Sequence, residues 1–191
     1  MVAEIGDYLM FKLKKAIEFA KNMHAGQLYG DKDYFETHLV AVVHVIADLL
    51  SDADLDVYSF TDDFCEDLLS CGYLHDILED TSVTFSDLKE DFNEFIANVV
   101  YACTNEKGKT RKERQNDKFY LELATQEYAS FVKLADRIAN TWYSKQSGSS
   151  MYQKYKSEED NFIAKATNFQ RKLSELERKL VDLAVEKLKS L

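Results

Sequence analysis

Two histidines and two aspartates, His38, His75, Asp76 and Asp136, fall in three separate stretches of this sequence. Two imidazoles and two carboxylates form a donor set for one divalent cation. A cation so held keeps open positions at which it acidifies a water and neutralises a phosphoryl oxygen, so the chemistry on offer is phosphoryl hydrolysis. Glu79 and Asp80 follow the His75–Asp76 pair at about one helical turn. If they are not ligands, they are placed to orient the water or exchange its proton. Apolar neighbours Tyr73, Leu74, Ile77 and Leu78 set this cluster against a partly buried cleft, where crowded carboxylates are costly unless a cation or shared protons compensate. The same residues taken alone read as a solvated acidic helix end beside a core histidine.

The elements that must position these groups are helical. With no proline and six glycines, the punctuation of β-rich folds is missing, while apolar residues recur at three- and four-residue spacing. We expect an all-α single domain over residues 1–191, with a motif core at about 9–140 and a C-terminal helical extension at about 151–191. Leu9, Leu13, Ile17 and Ala20 mark one face of a first helix that ends before Gly26. A second helix runs from about Tyr34 to Leu50, opened by His38, with Leu39, Val42, Val43, Ile46 and Leu50 inward. An acidic, turn-like stretch at 51–58 precedes a third helix described by Leu68, Leu69, Gly72, Tyr73 and Ile77, which carries His75 and Asp76.

Thr84 and Asp87 have the spacing of a capping box, and residues 92–103 make another helix. Residues 131–142 are amphipathic, with Phe131, Leu134, Ala135, Ile138 and Trp142 on one side and Lys133, Asp136, Arg137 and Asn140 on the other. After a loop at 146–150, Phe169, Leu173, Leu176, Leu180 and Leu183 repeat at spacings of four and three. That is the pattern of one long charged helix over about 157–191, packed along its own domain.

Composition narrows the function. The 191 residues are 46% hydrophobic and 30% charged, the balance of one compact globular core. No stretch approaches the roughly 18 apolar residues of a spanning helix, and Lys12, Lys14 and Lys15 follow the first apolar residues, so neither a signal peptide nor a membrane anchor is expected. Cys65, Cys71 and Cys103, odd in number and in apolar helical contexts, read as buried thiols of a reducing compartment, and a cytoplasmic location is expected. A net charge of −10 repels polyanions, which argues against extended nucleic acid as a partner. Phosphate chemistry therefore needs a local positive centre. Residues 105–118 hold six bases and three acids, and Lys107, Lys109, Arg111, Lys112 and Arg114 are candidates to reach a nucleotide's phosphates. Arg111 and Arg114 are one helical turn apart.

The motif set resembles the HD superfamily of metal-dependent phosphohydrolases, and within it the RelA/SpoT-type alarmone hydrolases and their small single-domain members. The matching segments are Ala20 with His24-Ala25-Gly26-Gln27, then His38 and a valine-rich helix, then Leu74-His75-Asp76-Ile77-Leu78-Glu79-Asp80-Thr81, and Lys133 to Asn140. They occur in the family's order. The resemblance implies an HD-type helical bundle in which His38, His75, Asp76 and Asp136 bind one metal, usually manganese. It implies that Glu79 and Asp80 assist the attacking water and that Arg137 and Asn140 hold phosphate or ribose. His24 is expected to support the site through a hydrogen bond, and His44 to have no chemical duty.

The chain departs from the alarmone pattern before His38, where an Arg-Lys pair that addresses guanine is replaced by Tyr29 and Gly30. Lys32 lies nearby, and Tyr29 offers a ring to stack on a base. Trp142 and Tyr143 also follow Asn140 where the family more often has other residues. The function expected is removal of 3′-pyrophosphate from a guanosine alarmone. The alternatives are a phosphohydrolase or phosphatase for another nucleotide, such as a deoxynucleotide or phosphorylated dinucleotide cofactor, and a catalytically silent nucleotide-binding module. The helical domain fills the 191 residues and leaves no length among them for a synthetase domain. Assembly as a homo-oligomer stays open.

Overall fold

The computed structural model describes residues 2–55 and 63–191, the side chains of residues 2–10 excepted. The expected inward position of Leu9 and the part of the acidic stretch at 56–58 lie outside the described residues. Eleven α-helices follow one another among the described residues: α1 (Val2–Met23), α2 (Val40–Asp52), α3 (Asp63–Leu74), α4 (Ile77–Asp80), α5 (Phe85–Asp91), α6 (Glu94–Cys103), α7 (Arg111–Arg114), α8 (Asp117–Thr125), α9 (Ala129–Gln146), α10 (Met151–Ala166) and α11 (Glu175–Lys189). The only strands among these residues are β1 (Leu28–Tyr29) and β2 (Lys32–Asp33), an antiparallel hairpin pairing Tyr29 with Lys32. Gly30 takes φ +68° in its two-residue turn, a conformation that suits glycine.

Helix α9 is the axis of the bundle, with α2, α6, α10 and α11 packed around it. Every residue from Ala129 to Ala139 is buried, the state of a helix covered on all sides. Ala16 and Ala20 bury α1 against α3, and Leu39, Val42, Val43, Ile46 and Leu50 are buried as their spacing predicts. Cys65, Cys71 and Cys103 are buried, and no disulfide joins them. Among the described residues no helix is long and apolar enough to cross a membrane.

Three local departures from regular helix matter. The first turn of the second helix is a π-helix, Phe35–Leu39, closed by Val40 N–H on the Phe35 carbonyl. Its wider turn re-aims His38 relative to the apolar face of α2. The third helix stops at Leu74, and Asp76 adopts φ −101°, ψ 0° before α4 begins. The C-terminal region is two helices rather than one long one: residues 167–174 break it, and Ser174 caps α11 through Glu177 N–H. Leu173 is buried and Phe169 half-buried in that connection. Helix α11 packs on α9 and α2 within its own domain.

Candidate metal centre

Three elements bring four side chains to one point. The π-turn supplies His38, the break after α3 supplies His75 and Asp76, and α9 supplies Asp136. His38, His75 and Asp76 offer atoms within 4.8 Å of one another. His38 Nε2 lies 3.3 Å from His75 Nε2, 3.4 Å from Asp76 Oδ2 and 3.5 Å from Asp136 Oδ1. His75 Nε2 lies 3.0 Å from Asp76 Oδ2 and 3.8 Å from Asp136 Oδ1. On a continuous helix adjacent side chains diverge by about 100°, so the turn at Asp76 is what lets two neighbours face one centre.

The electrostatics fit a cation. His75 Nδ1 donates to the Gly72 carbonyl at 2.8 Å, which leaves the Nε2 lone pair facing the centre. Burial disfavours a charged His75, but the Asp76 carboxylate, with help from Asp136, outweighs it and pushes the imidazole up to about 9. Burial likewise opposes the charge of Asp76, yet His75, His38 and Lys133 hold it well below the usual carboxylate range. Asp136 is lowered too, chiefly by Lys133 and His75 against its burial. Buried Asp136 and half-buried Asp76 thus keep negative charge at the centre, and a divalent ion in place of the His75 proton suits the donor types present.

A ring of side chains orients these groups. Tyr34 donates its hydroxyl to Asp76 Oδ2, and burial with the Asp76 charge keeps that phenol protonated. Asn140 donates to Asp136 Oδ1 and accepts from the Tyr29 hydroxyl. Lys133, buried, lies 3.0 Å from Asp136 Oδ2, and Asp136 and Asp76 overcome its burial to hold its ammonium above the ordinary lysine range. Glu79 accepts from Asn105 Nδ2 at 2.8 and 3.1 Å, and Asp80 Oδ2 accepts from Gln27 Nε2 at 2.8 Å. Gln27 Oε1 in turn takes the Nδ1–H of His24 at 2.6 Å, and His24 stacks on Tyr34. His24 makes the hydrogen bond expected of it.

The centre is the floor of a cleft of about 220 Å³ whose lining includes Glu79, Asp80, Asn105, Arg111, Arg114, Arg137, Asn140 and Tyr155. Arg137 is buried, its guanidinium carbon 4.8 Å from the Tyr155 ring centre and 4.2 Å from that of Phe162. Arg111 pairs with Glu158 at 2.8 Å.

Not every expected contact forms. Lys107 and Lys109 are exposed and do not line the cleft; both precede Thr110, which caps the start of α7. Lys32 also stays outside and lies over the Tyr143 ring at 5.8 Å. Tyr29 lines the cleft, but its ring is already stacked on His38 at 5.1 Å and edged by Tyr143 at 4.8 Å, which leaves it a packing role rather than a base platform. Trp142, expected on the inner face of α9, is half-exposed, whereas Thr141 and Ser144, which point away from its side of the helix, are buried. His44 is exposed and away from the centre.

Sequence reasoning missed Tyr34, Asn105, Tyr155, Glu158 and Phe162 as parts of the site. Only Lys133, three residues before Asp136 on one helix face, carried a local signal.

Compared with known proteins, residues 16–164 match the model of the HD domain. The chain is similar to guanosine-3′,5′-bis(diphosphate) 3′-pyrophosphohydrolase of Haemophilus influenzae, 31% identical over 127 residues that make up 63% of this chain and 17% of that protein. It is also similar to the Danio rerio protein named guanosine-3′,5′-bis(diphosphate) 3′-pyrophosphohydrolase MESH1, 25% identical over 130 residues, 67% of this chain and 66% of that one. The match thus spans less than a fifth of the longer bacterial relative. A solved structure described as a metazoan ortholog of SpoT that hydrolyzes ppGpp superimposes with a TM-score of 0.60 at 22% identity, over 93% of this chain and 96% of that one.

Proposed function

The chain belongs to the HD domain family, and from that premise we propose that it is a metal-dependent phosphohydrolase. Its substrate is guanosine-3′,5′-bis(diphosphate) or a close relative, from which it removes the 3′-pyrophosphate, with manganese as its ion. The names of its relatives supply the substrate class. The observation that carries the reading is the meeting of His38, His75, Asp76 and Asp136 on the floor of a cleft that also bears Arg111 and Arg137.

A divalent cation held by those four residues supplies Lewis-acid activation of water and of a phosphoryl oxygen. The chain's own groups do the rest. Glu79 and Asp80, each oriented by a side-chain amide, stand at the cleft to accept a proton from the attacking water. Arg111 and Arg137 offer fixed N–H donors to phosphate oxygens. Tyr29 holds Asn140, and Asn140 holds Asp136. Tyr155 and Phe162 keep water from the back of the Arg137 guanidinium.

The test is a nucleotide panel with Mn²⁺ and product identification. Pyrophosphate release from the guanosine alarmone, abolished by chelation, is expected; full turnover in excess chelator would overturn the mechanism. One observation favours a second reading, a phosphohydrolase for another phosphorylated nucleotide. Tyr29 and Gly30 stand in place of a cationic pair, and Tyr29 is enclosed by His38 and Tyr143, so this hairpin offers no charged reader of guanine. Orthophosphate release from a different member of the panel selects that reading.

A further inference from the structure

Lys133 lines the metal cleft at only 4% exposure. It stands three residues before Asp136 on α9, and its Nζ lies 3.0 Å from Asp136 Oδ2. Among the described residues it is the only lysine or arginine paired with any of the four proposed ligands. Burial opposes its charge, but Asp136 and Asp76 overcome that cost and keep the ammonium protonated. A buried ammonium beside the ligands of a divalent cation works against the ion, because it repels what the carboxylates attract. Packing does not require the charge either, since an apolar side chain of similar length fills such a space without the desolvation cost.

The two oxygens of Asp136 face different partners. Oδ1 turns to the histidines, 3.5 Å from His38 Nε2 and 3.8 Å from His75 Nε2, and accepts from Asn140 Nδ2. Oδ2 turns to Lys133. Asp76 is not divided in this way: its Oδ2 meets His38, His75 and the Tyr34 hydroxyl together, with no ammonium or guanidinium paired to it among the described residues.

We propose that Lys133 is a positioning residue that holds Oδ2 of Asp136 away from the metal, so that this carboxylate ligates through one oxygen and lends the ion only part of its charge. The ion is then bound less tightly and left more electron-poor toward phosphate. This role rests on the metal-dependent reading above and sets metal affinity against turnover. A lysine present for structure alone has the opposite signature, since its loss frees Asp136 to move and weakens metal binding.

The test is Lys133→Met, similar in length and uncharged. Titration calorimetry of chelator-stripped protein should show Mn²⁺ bound roughly tenfold more tightly than by the wild type. Release of Mn²⁺ from the loaded protein into excess EDTA should slow by a similar factor. At full metal content, kcat on guanosine-3′,5′-bis(diphosphate) should fall about tenfold with KM little changed. Lys133→Gln, which keeps a neutral donor for Oδ2, guards against misfolding of the methionine variant and should tighten Mn²⁺ by a smaller factor. Thermal unfolding of the loaded variants checks that they fold.

Equal or weaker Mn²⁺ binding by the folded variants overturns the proposal, and so does an unchanged kcat at full metal loading. A wild type that takes up no Mn²⁺ sinks the metal centre and the role of Lys133 together, whereas wild-type uptake without tightening in the variants sinks the role alone. If the wild type hydrolyses no alarmone, the substrate assignment falls and the affinity and release measurements still decide.

Discussion

The Gly72 carbonyl accepts the Nδ1–H of His75 at 2.8 Å, and through this bond a residue without a side chain decides which nitrogen of the imidazole faces the cleft. The same glycine lies where α3 crosses α2. A Cβ there would sit 2.8 Å from Ile46 Cδ1 and 2.9 Å from Val43 Cγ2, so the close approach of the helices bearing His75 and following His38 depends on hydrogen at this position.

Gly72→Ala should therefore cost about 1–3 kcal/mol of stability through overpacking, and should weaken metal affinity by displacing His75 from His38. Urea unfolding and metal titration measure the two effects. A variant as stable as the wild type, with unaltered affinity, would mean that the α2–α3 contact relaxes freely.

Stability of the metal-free protein should fall as pH rises. His75 titrates at 6.5 when unperturbed and is pushed up to about 9 in the folded chain, by Asp76 and Asp136 acting against burial. Its folded-state value lies above its unfolded one, so the stabilisation is complete below about pH 6.5 and is lost as pH climbs through about 9. A divalent ion takes the place of that proton, and the slope should disappear in Mn²⁺. Denaturant midpoints from pH 6 to 9, in EDTA and in Mn²⁺, test this. A flat profile in EDTA contradicts it.

How much of this was legible in the sequence depends on the range of each interaction. The converging His75, Asp76 and Asp136 stand out in the sequence because His75-Asp76 and the Lys133–Asn140 stretch carry their pattern locally. The capping box of Thr84 and Asp87 was readable for the same reason. The break at His75–Asp76 was not, since no glycine or proline marks it and Ile77 continues the apolar spacing. The break before α11 had a faint signal in Ser174 followed three residues later by Glu177, masked by the four-residue spacing of Phe169 and Leu173. Trp142 was misplaced because α9 buries its polar residues Lys133, Asp136 and Arg137 as well as its apolar ones, so apolar periodicity cannot tell which side is covered near its end. The Arg137 stack on Tyr155 and Phe162 joins helices with no shared local pattern.

The two acids at the cleft should separate by role. Asn105 Nδ2 reaches both oxygens of Glu79, whereas Gln27 engages only Oδ2 of Asp80. Among the described residues no hydrogen bond occupies Oδ1 of Asp80, which leaves that oxygen available for the attacking water's proton. Asp80→Asn should lower kcat by roughly 10²- to 10⁴-fold with metal content unchanged. Glu79→Gln, which keeps one acceptor for Asn105, should cost less. The reverse order would assign the proton to Glu79.

Removing Asp76 or Asp136 should act through the metal. Asp76→Ala takes away a carboxylate 3.0 Å from His75 Nε2 and one of the acids that hold the Lys133 charge. Metal affinity and turnover should both drop by about 10²-fold or more, read by metal analysis and pyrophosphate release. Undiminished activity would remove Asp76 from the centre.

Arg137 sets stability against function. Its guanidinium is held between Tyr155 and Phe162, and burial, with the like charge of Arg111, pulls its pKa below the usual arginine value. The folded chain thus carries a positive charge that it does not fully satisfy. Arg137→Met keeps most of the packing volume and removes that charge, which should leave the protein as stable or about 1 kcal/mol more stable. The same change deletes the donors meant for phosphate, so KM should rise roughly tenfold or more. Chemical denaturation and steady-state kinetics on one preparation decide the matter. A strongly destabilised Arg137→Met would show that the aromatic stack by itself satisfies the guanidinium, and that its burial needs no ligand to explain it.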